Sequence, residues 1–206
     1  MKTGPLSDDY QEWESKLNIG ISAMLDQKKF TESIGAEHLK ATPSRVVKAY
    51  KEYFWGLDHD PAAELATAFE EKQYDEMVVI SGVQFTSWCA HHLLPFIGRY
   101  TFAYLPKDKV IGLSKIPRFI EVLAARPQVQ EHLCQEVIDI FQKTVLPHGS
   151  GIIMDAVHTC MSVRGVKTMA TTRTIALSRL FKKDASVKQE LLMSVGPTPR
   201  HCFLEG

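Results

Sequence analysis

Two short segments of the sequence carry cysteine and histidine side chains that could hold a metal ion. Residues 89–92 read CAHH and residues 158–160 read HTC. Thiolate and imidazole are ligands that zinc prefers, and three protein ligands with an open fourth position are typical of a catalytic zinc site. Alternate residues of a strand share a face, so we expect His158 and Cys160 to point the same way. Spacing does not decide which histidines bind, and residues 89–92 taken alone are more often a buried cysteine beside polar histidines.

A basic and polar cluster marks the start of a predicted helix at Ser114. Lys115 and Arg118 lie three positions apart, so they share one face of that helix. Backbone N–H groups and the helix dipole at this end favour an anion. Arg164 and Arg45 would add positive charge if the fold brings them close. Helix cations are also common as solvated surface residues, and the sequence leaves both interpretations open.

Gln130 and Glu131 lie in the first turn of the next predicted helix, after Pro127. A carboxylate is electrostatically favourable at this end of a helix, so helix capping is one interpretation. The other is recognition of a base, because Glu and Gln together match the donor-rich edge of guanine. Residue type and position do not choose between the two.

The rest of the pattern predicts the elements that position these residues. Apolar residues at helical spacing predict a helical N-terminal region over residues 1–57, and the acidic residues 58–76 read as a linker or loop. From Met77 onward, β-branched and aromatic residues predict strands, and two helices interrupt them, one starting at Ser114 and one after Pro127. This order of elements indicates an α+β fold. The predicted strands are 77–88, 99–106, 109–113, 151–163 and 168–177, all within a main domain of residues 77–193, and residues 194–206 form a tail.

Composition excludes several classes of protein. Lys plus Arg equals Asp plus Glu at 24 each, so no global charge indicates a nucleic-acid partner. The N-terminus is polar and acidic, unlike a signal peptide, and no apolar run approaches the roughly 18 residues that span a membrane. The four cysteines include no CxxC pair, so we expect a cytoplasmic location, where unpaired cysteines more often serve metal binding or catalysis than disulfides.

Taken together, the motifs resemble the GTP cyclohydrolase I family. They read CxHHLxPF, GLSKxxR, RPQVQE and HxCMxxRG in this order, within residues 40–192. The resemblance implies a tunnelling fold (T-fold), in which an antiparallel sheet carries two helices and closes into barrels by oligomerisation. It also implies a homo-oligomer, commonly a decamer, with active sites between subunits. The reaction would open the guanine imidazole ring of GTP, release formate and yield 7,8-dihydroneopterin triphosphate.

The resemblance also implies a role for each candidate residue. Zinc would activate water for attack on C8 of the purine, while His158 and His91 would serve proton transfer without binding the metal. Glu131, with Gln130, would anchor guanine. The expected zinc ligands are Cys89, His92 and Cys160, and the residues expected to face ribose and triphosphate are Ser114, Lys115, Arg118, Arg164 and, from a neighbouring subunit, Arg45.

The sequence departs from the family at two places. Ala90 replaces the Glu of the usual Cys-Glu-His-His motif, and Arg173 stands where the family often has small residues. A carboxylate beside two zinc-site residues is a plausible partner for an imidazole, and losing such a partner typically costs about 10- to 100-fold in metal affinity or activity. A catalytically weakened GTP-binding relative is therefore one alternative. A T-fold enzyme for another purine or pterin is the other.

Overall fold

The structure is a computed structural model that describes residues 8–70 and 74–195. It divides between Phe54 and Trp55 into two compact units. The N-terminal unit is helical, as the sequence predicts. Helix α4 begins with Thr42-Pro43, buries Val47 and places Lys51 in an ion pair with Glu14. The helices of this unit are α1 (Asp8–Leu25), α2 (Lys28–Ile34), α3 (Ala36–Leu39) and α4 (Thr42–Tyr53).

The second unit is built on a five-stranded sheet with the strand order β5-β2-β3-β6-β7. All its pairings are antiparallel except the two-residue pairing of β5 with β2. A separate two-stranded sheet pairs β1 with β4. The strands are β1 (Ala68–Glu70), β2 (Val78–Cys89), β3 (Pro95–Leu105), β4 (Lys109–Ile111), β5 (Pro127–Gln128), β6 (Gly149–His158) and β7 (Thr171–Leu177), and the helices are α5 (Pro61–Glu64), α6 (Lys115–Ala124), α7 (Gln130–Val145), α8 (Thr159–Ser162), α9 (Arg179–Lys183) and α10 (Ala185–Ser194).

Helices α6 and α7 cover one face of the sheet. Their apolar residues pack on the alternate residues of β3 and β6, and Phe102, Phe119 and Phe141 are fully buried there. The opposite face is covered at one end by α9 and α10, where Phe181 and Leu191 pack beside Gly151. A Cβ at Gly151 would lie only 2.6–2.9 Å from side-chain atoms of this cluster. Both faces of β6 are buried over residues 149–157.

The α+β class is confirmed, with an antiparallel sheet that carries two helices after a helical N-terminal region. One predicted strand is too long. Strand β6 ends at His158, and Thr159–Ser162 forms a helical turn instead of continuing to residue 163. Thr159 Oγ1 donates to Pro95 O at 2.6 Å, which fixes the chain at this change of direction. Among the residues that the structure describes, no helix is long and apolar enough to cross a membrane.

Candidate metal centre and active site

The turn between β2 and β3 presents the first metal-binding candidates. Cys89 ends β2, and its N–H donates to Leu94 O at 2.9 Å across the turn. Leu93 has a positive φ of 50°, a conformation that a leucine adopts only where tight chain reversal requires it. The N–H groups of His92 and Leu93 both donate to Cys89 O. The backbone therefore folds back on Cys89 and brings the His92 ring close to its thiol.

Cys160 lies close to Cys89, in the helical turn that follows β6. Strand β6 pairs with β3 so that His158 lies opposite Phe96, and the helical turn α8 then carries Cys160. The expectation that His158 and Cys160 share a strand face is wrong, because the strand ends between them. The change to a helical turn separates their directions: Cys160 Sγ lies 3.9 Å from Cys89 Sγ, whereas His158 bonds to Gln130.

Three donor atoms form a group that could bind a metal ion, and they belong to Cys89, His92 and Cys160. All three lie within 4.8 Å of one another, and Cys89 Sγ is 3.6 Å from His92 Nδ1. Tetrahedral zinc with bonds of about 2.3 Å to sulfur and 2.0 Å to nitrogen holds such atoms roughly 3.5–3.8 Å apart. Two thiols and one imidazole thus fit zinc in chemistry, and the separations of 3.6 Å from Cys89 Sγ to His92 Nδ1 and 3.9 Å to Cys160 Sγ lie close to these values. Cys89 is buried and His92 exposed, so the group opens to solvent on one side.

His91 lies beside this group but not in it. Its Nδ1 is 3.8 Å from Cys89 Sγ, and its ring is exposed.

Burial and the neighbouring Cys89 thiol raise the pKa of Cys160, whereas the charge of Arg164 lowers it. A nearby cation favours the thiolate form of a thiol such as Cys160. The metal would supply that charge.

His158 is held by contacts on two sides. Its Nε2 is 2.8 Å from Gln130 Oε1, and its ring stacks on Phe96 with centroids 4.6 Å apart and planes 8° apart. Burial lowers the pKa of His158, and the negative charge of Glu131 acts in the opposite direction. An imidazole in one fixed orientation, with a carboxylate near enough to influence it, is suited to proton transfer.

Gln130 is almost fully buried, with 1% of its surface exposed. Its Nε2 donates to Met154 O and Thr172 O, both at 3.1 Å, and to Thr174 Oγ1 at 3.0 Å. Both ends of this amide are therefore engaged within the protein. Glu131, the next residue of α7, is exposed and is the member of the pair whose side chain a ligand can reach.

The polar and basic candidates lie at the start of α6 and after α8. Ser114 precedes α6 and makes no side-chain capping bond. Lys115 Nζ is 3.9 Å from Glu64 Oε2, and Arg118 is exposed one turn further on. Arg164 is exposed in the segment after α8. Arg45 is exposed on α4 of the N-terminal unit.

Of the two remaining cysteines, the structure describes Cys134. Cys134 is buried on α7, 3.0 Å from Thr174 Oγ1, and burial raises its pKa to about 12, which fits a core residue. Cys202 lies outside the described residues. The bond between Gln130 and His158 was not predicted, since the two are 28 positions apart and only the sheet register brings them together.

The chain matches one protein family over most of its length. The sequence profile of the family "GTP cyclohydrolase I" matches residues 21–196. Proteins named GTP cyclohydrolase 1 match from Wolinella succinogenes (40% identity; 76% of this chain and 84% of that protein), Halalkalibacterium halodurans (44%; 76% and 84%) and Helicobacter pylori (39%; 80% and 94%). A crystal structure of the archaeosine synthase QueF-Like in the apo form is similar over 50% of this chain and 92% of that chain, with a TM-score of 0.41 and 13% identity.

Proposed function

Since the chain belongs to the GTP cyclohydrolase I family, a family of hydrolases, we propose that it is an active, zinc-dependent GTP cyclohydrolase I. It would open the imidazole ring of GTP, release formate and form 7,8-dihydroneopterin triphosphate. The observation that supports this most is the Cys89, His92 and Cys160 donor group. It comes from two distant segments of the chain, and the fold brings their side chains together as a catalytic zinc site requires.

Each residue has a physical task in this proposal. Zinc would be held by Cys89, His92 and Cys160. When bound, it would act as a Lewis acid that activates water near neutral pH. His158, fixed by Gln130 and Phe96, would hold a proton at N7 of the purine and make C8 more electrophilic. His91, exposed beside the donor group, would serve a second proton transfer. These assignments separate metal binding from proton transfer.

Substrate binding would use the exposed charged residues. Glu131 would anchor guanine, with Gln130 beside it holding His158. The residues proposed for ribose and triphosphate are Ser114, Lys115, Arg118 and Arg164, joined by Arg45 of a neighbouring subunit. A homo-oligomer, commonly a decamer in this family, would complete each site. The protein would act in the cytoplasm, in the synthesis of pterins or tetrahydrofolate. Positioning by such contacts supplies much of the rate in reactions of this kind.

Turnover of GTP tests the proposal. Zinc-loaded protein is incubated with GTP while formate is quantified and dihydropterin absorbance is followed. We expect the two products in equal amounts. ATP, GDP and guanosine in parallel test the alternative of another purine substrate, because only a nucleotide carrying both guanine and triphosphate meets all the proposed contacts. Bound zinc without formate release in the correct oligomer would contradict the proposal.

Substitution of Ala90 tests whether the protein is a fully active enzyme or a catalytically weakened relative. It is exposed in the turn after β2, and its N–H donates to Gln128 O at 2.9 Å. A longer side chain at 90 can therefore point to solvent without disturbing the backbone. We predict that Ala90→Glu changes kcat/KM for GTP by less than about threefold, since the fixed imidazole His158 already has Gln130 as its partner. A gain of about 10- to 100-fold, the usual worth of a metal-site carboxylate, would instead support the weakened relative.

A further inference from the structure

An ion pair between an exposed arginine and a buried carboxylate joins the last two strands of the sheet on the face opposite α6 and α7. Arg173 on β7 donates to Asp155 on β6 through two nitrogens, Nε to Oδ1 and a terminal nitrogen to Oδ2, both at 2.7 Å. The Asp155 side chain is 7% exposed. A bidentate pair of this geometry is among the strongest polar contacts in proteins, and it fixes direction as well as distance. The two residues are direct partners in the register of β6 and β7.

The ion pair lies within the pairing of β6 with β7. Within the described part of the chain, β7 pairs with β6 alone, from Thr171 to Leu177. The contact between Asp155 and Arg173 lies near the middle of the pairing and acts on both strands.

Gln130 holds the same two strands from the other face. Its Nε2 donates to Met154, directly before Asp155, and to Thr172 and Thr174, directly before and after Arg173. The ion pair and the amide therefore act at one point of the sheet from opposite sides. The remaining atom of that amide, Oε1, bonds to His158 Nε2 at 2.8 Å. A shift of β7 would move the acceptors of Gln130 and so the group that orients His158.

We propose that the Arg173–Asp155 pair is a positioning element for the reaction, acting through β7 and Gln130 on the orientation of His158. This inference rests on the proposed function for its kinetic part. The pair lies on the sheet face opposite Gln130 and α7, the helix that carries Glu131. Its loss should therefore leave zinc and GTP binding intact and slow the step in which His158 takes part.

The kinetic test compares Arg173→Ala with Arg99→Ala in the zinc-loaded oligomer. Arg99 on β3 is a matched control because it is the register partner of Asp155 on the other side and lies on the same sheet face. We expect Arg173→Ala to lower kcat about tenfold with KM for GTP and zinc content unchanged, and Arg99→Ala to lower it less than twofold. Arg173→Lys, which keeps the charge but loses the two-point contact, should lie between.

A double variant tests the route. If the pair acts through Gln130, the tenfold effect of Arg173→Ala should disappear in a Gln130→Ala background, because coupled residues are not additive. The proposal would be overturned if the kcat losses of Arg173→Ala and Gln130→Ala multiplied in the double variant. Equal kcat values for Arg173→Ala and Arg99→Ala would also overturn it. So would a rise in KM together with a loss of zinc, since that would show a general structural defect.

Amide hydrogen exchange keeps the test independent of GTP turnover. We expect the amides of residues 171–177 to exchange at least tenfold faster in Arg173→Ala than in Arg99→Ala, with the rest of the sheet unchanged. Faster exchange in a protein that does not turn over GTP would sink the proposed function but leave the positioning contact standing. Unchanged exchange would overturn the positioning contact even in an active enzyme.

Discussion

His158→Ala is expected to keep its zinc and to lose about 10²- to 10⁴-fold in kcat, the usual contribution of a general acid or base. The His158 ring lies outside the three-atom donor group. It is held instead by Gln130 Oε1 at 2.8 Å and by stacking on Phe96. Its removal should therefore delete a proton-transfer group without opening the metal site. Metal analysis of the purified variant, together with kcat for GTP, measures both parts of the expectation.

His132→Ala is the matched control for this experiment. His132 is exposed on α7 and belongs to neither the donor group nor the proton-transfer pair, so its removal should change neither zinc content nor rate. Loss of zinc from His158→Ala would show that the ligand assignment is misplaced. Near-normal turnover by the zinc-loaded variant would show that another group supplies the proton.

Cys160→Ser is expected to lose zinc and, with it, measurable turnover. Cys160 Sγ and Cys89 Sγ lie 3.9 Å apart and supply two of the three donor atoms. A serine hydroxyl is a much poorer zinc ligand than a thiolate, and two remaining ligands do not make a zinc site. Cys89→Ser should behave in the same way. The measurement is zinc per subunit after dialysis against a weak chelator, followed by the rate with zinc added back.

Variants of one other cysteine and of the two adjacent histidines serve as controls for the loss of zinc. Cys134→Ser replaces a buried thiol that contacts Thr174 Oγ1 and lies outside the donor group, so it should retain zinc. His92→Ala should lose zinc while His91→Ala keeps it and loses rate, because only the His92 nitrogen belongs to the group. Full zinc occupancy in Cys160→Ser, or zinc loss in His91→Ala but not in His92→Ala, would contradict the assignment.

The elements with strong periodicity could be predicted from the sequence. The apolar face of α7, with Leu133, Val137 and Phe141 fully buried, follows from helical spacing, and so does the helical N-terminal unit. The two C-terminal helices were not predicted. Asp184 caps α10 by accepting from Ser186 N and Val187 N, but Leu191 is the one buried residue of that helix, so its apolar periodicity is weak. The sequence predicts a strand that continues to residue 163 because Thr159 and Val163 are β-branched. In the structure, the hydrogen bond from Thr159 Oγ1 to Pro95 O favours a helical turn instead.

Part of the candidate site could also be predicted from the sequence, and part could not. Residue type indicated the cysteines and histidines of the donor group, because few side chains bind zinc. Residue type does not place Gln130, because it leaves guanine recognition and helix capping both open. The buried amide instead spans β6 and β7 and bonds to His158. That arrangement depends on strand register, which no local pattern of residues 128–131 reports.

Zinc-dependent opening of the GTP ring is tested most directly by following the carbon atom that the reaction removes. The zinc-loaded protein is incubated with GTP labelled with ¹³C at C8, and the products are observed by ¹³C NMR. We predict that the label appears in free formate and that the dihydropterin product carries none. A labelled carbon that stays attached to the purine, or to a formylated ring-opened product, in a protein that holds zinc through Cys89, His92 and Cys160 would contradict the proposed function.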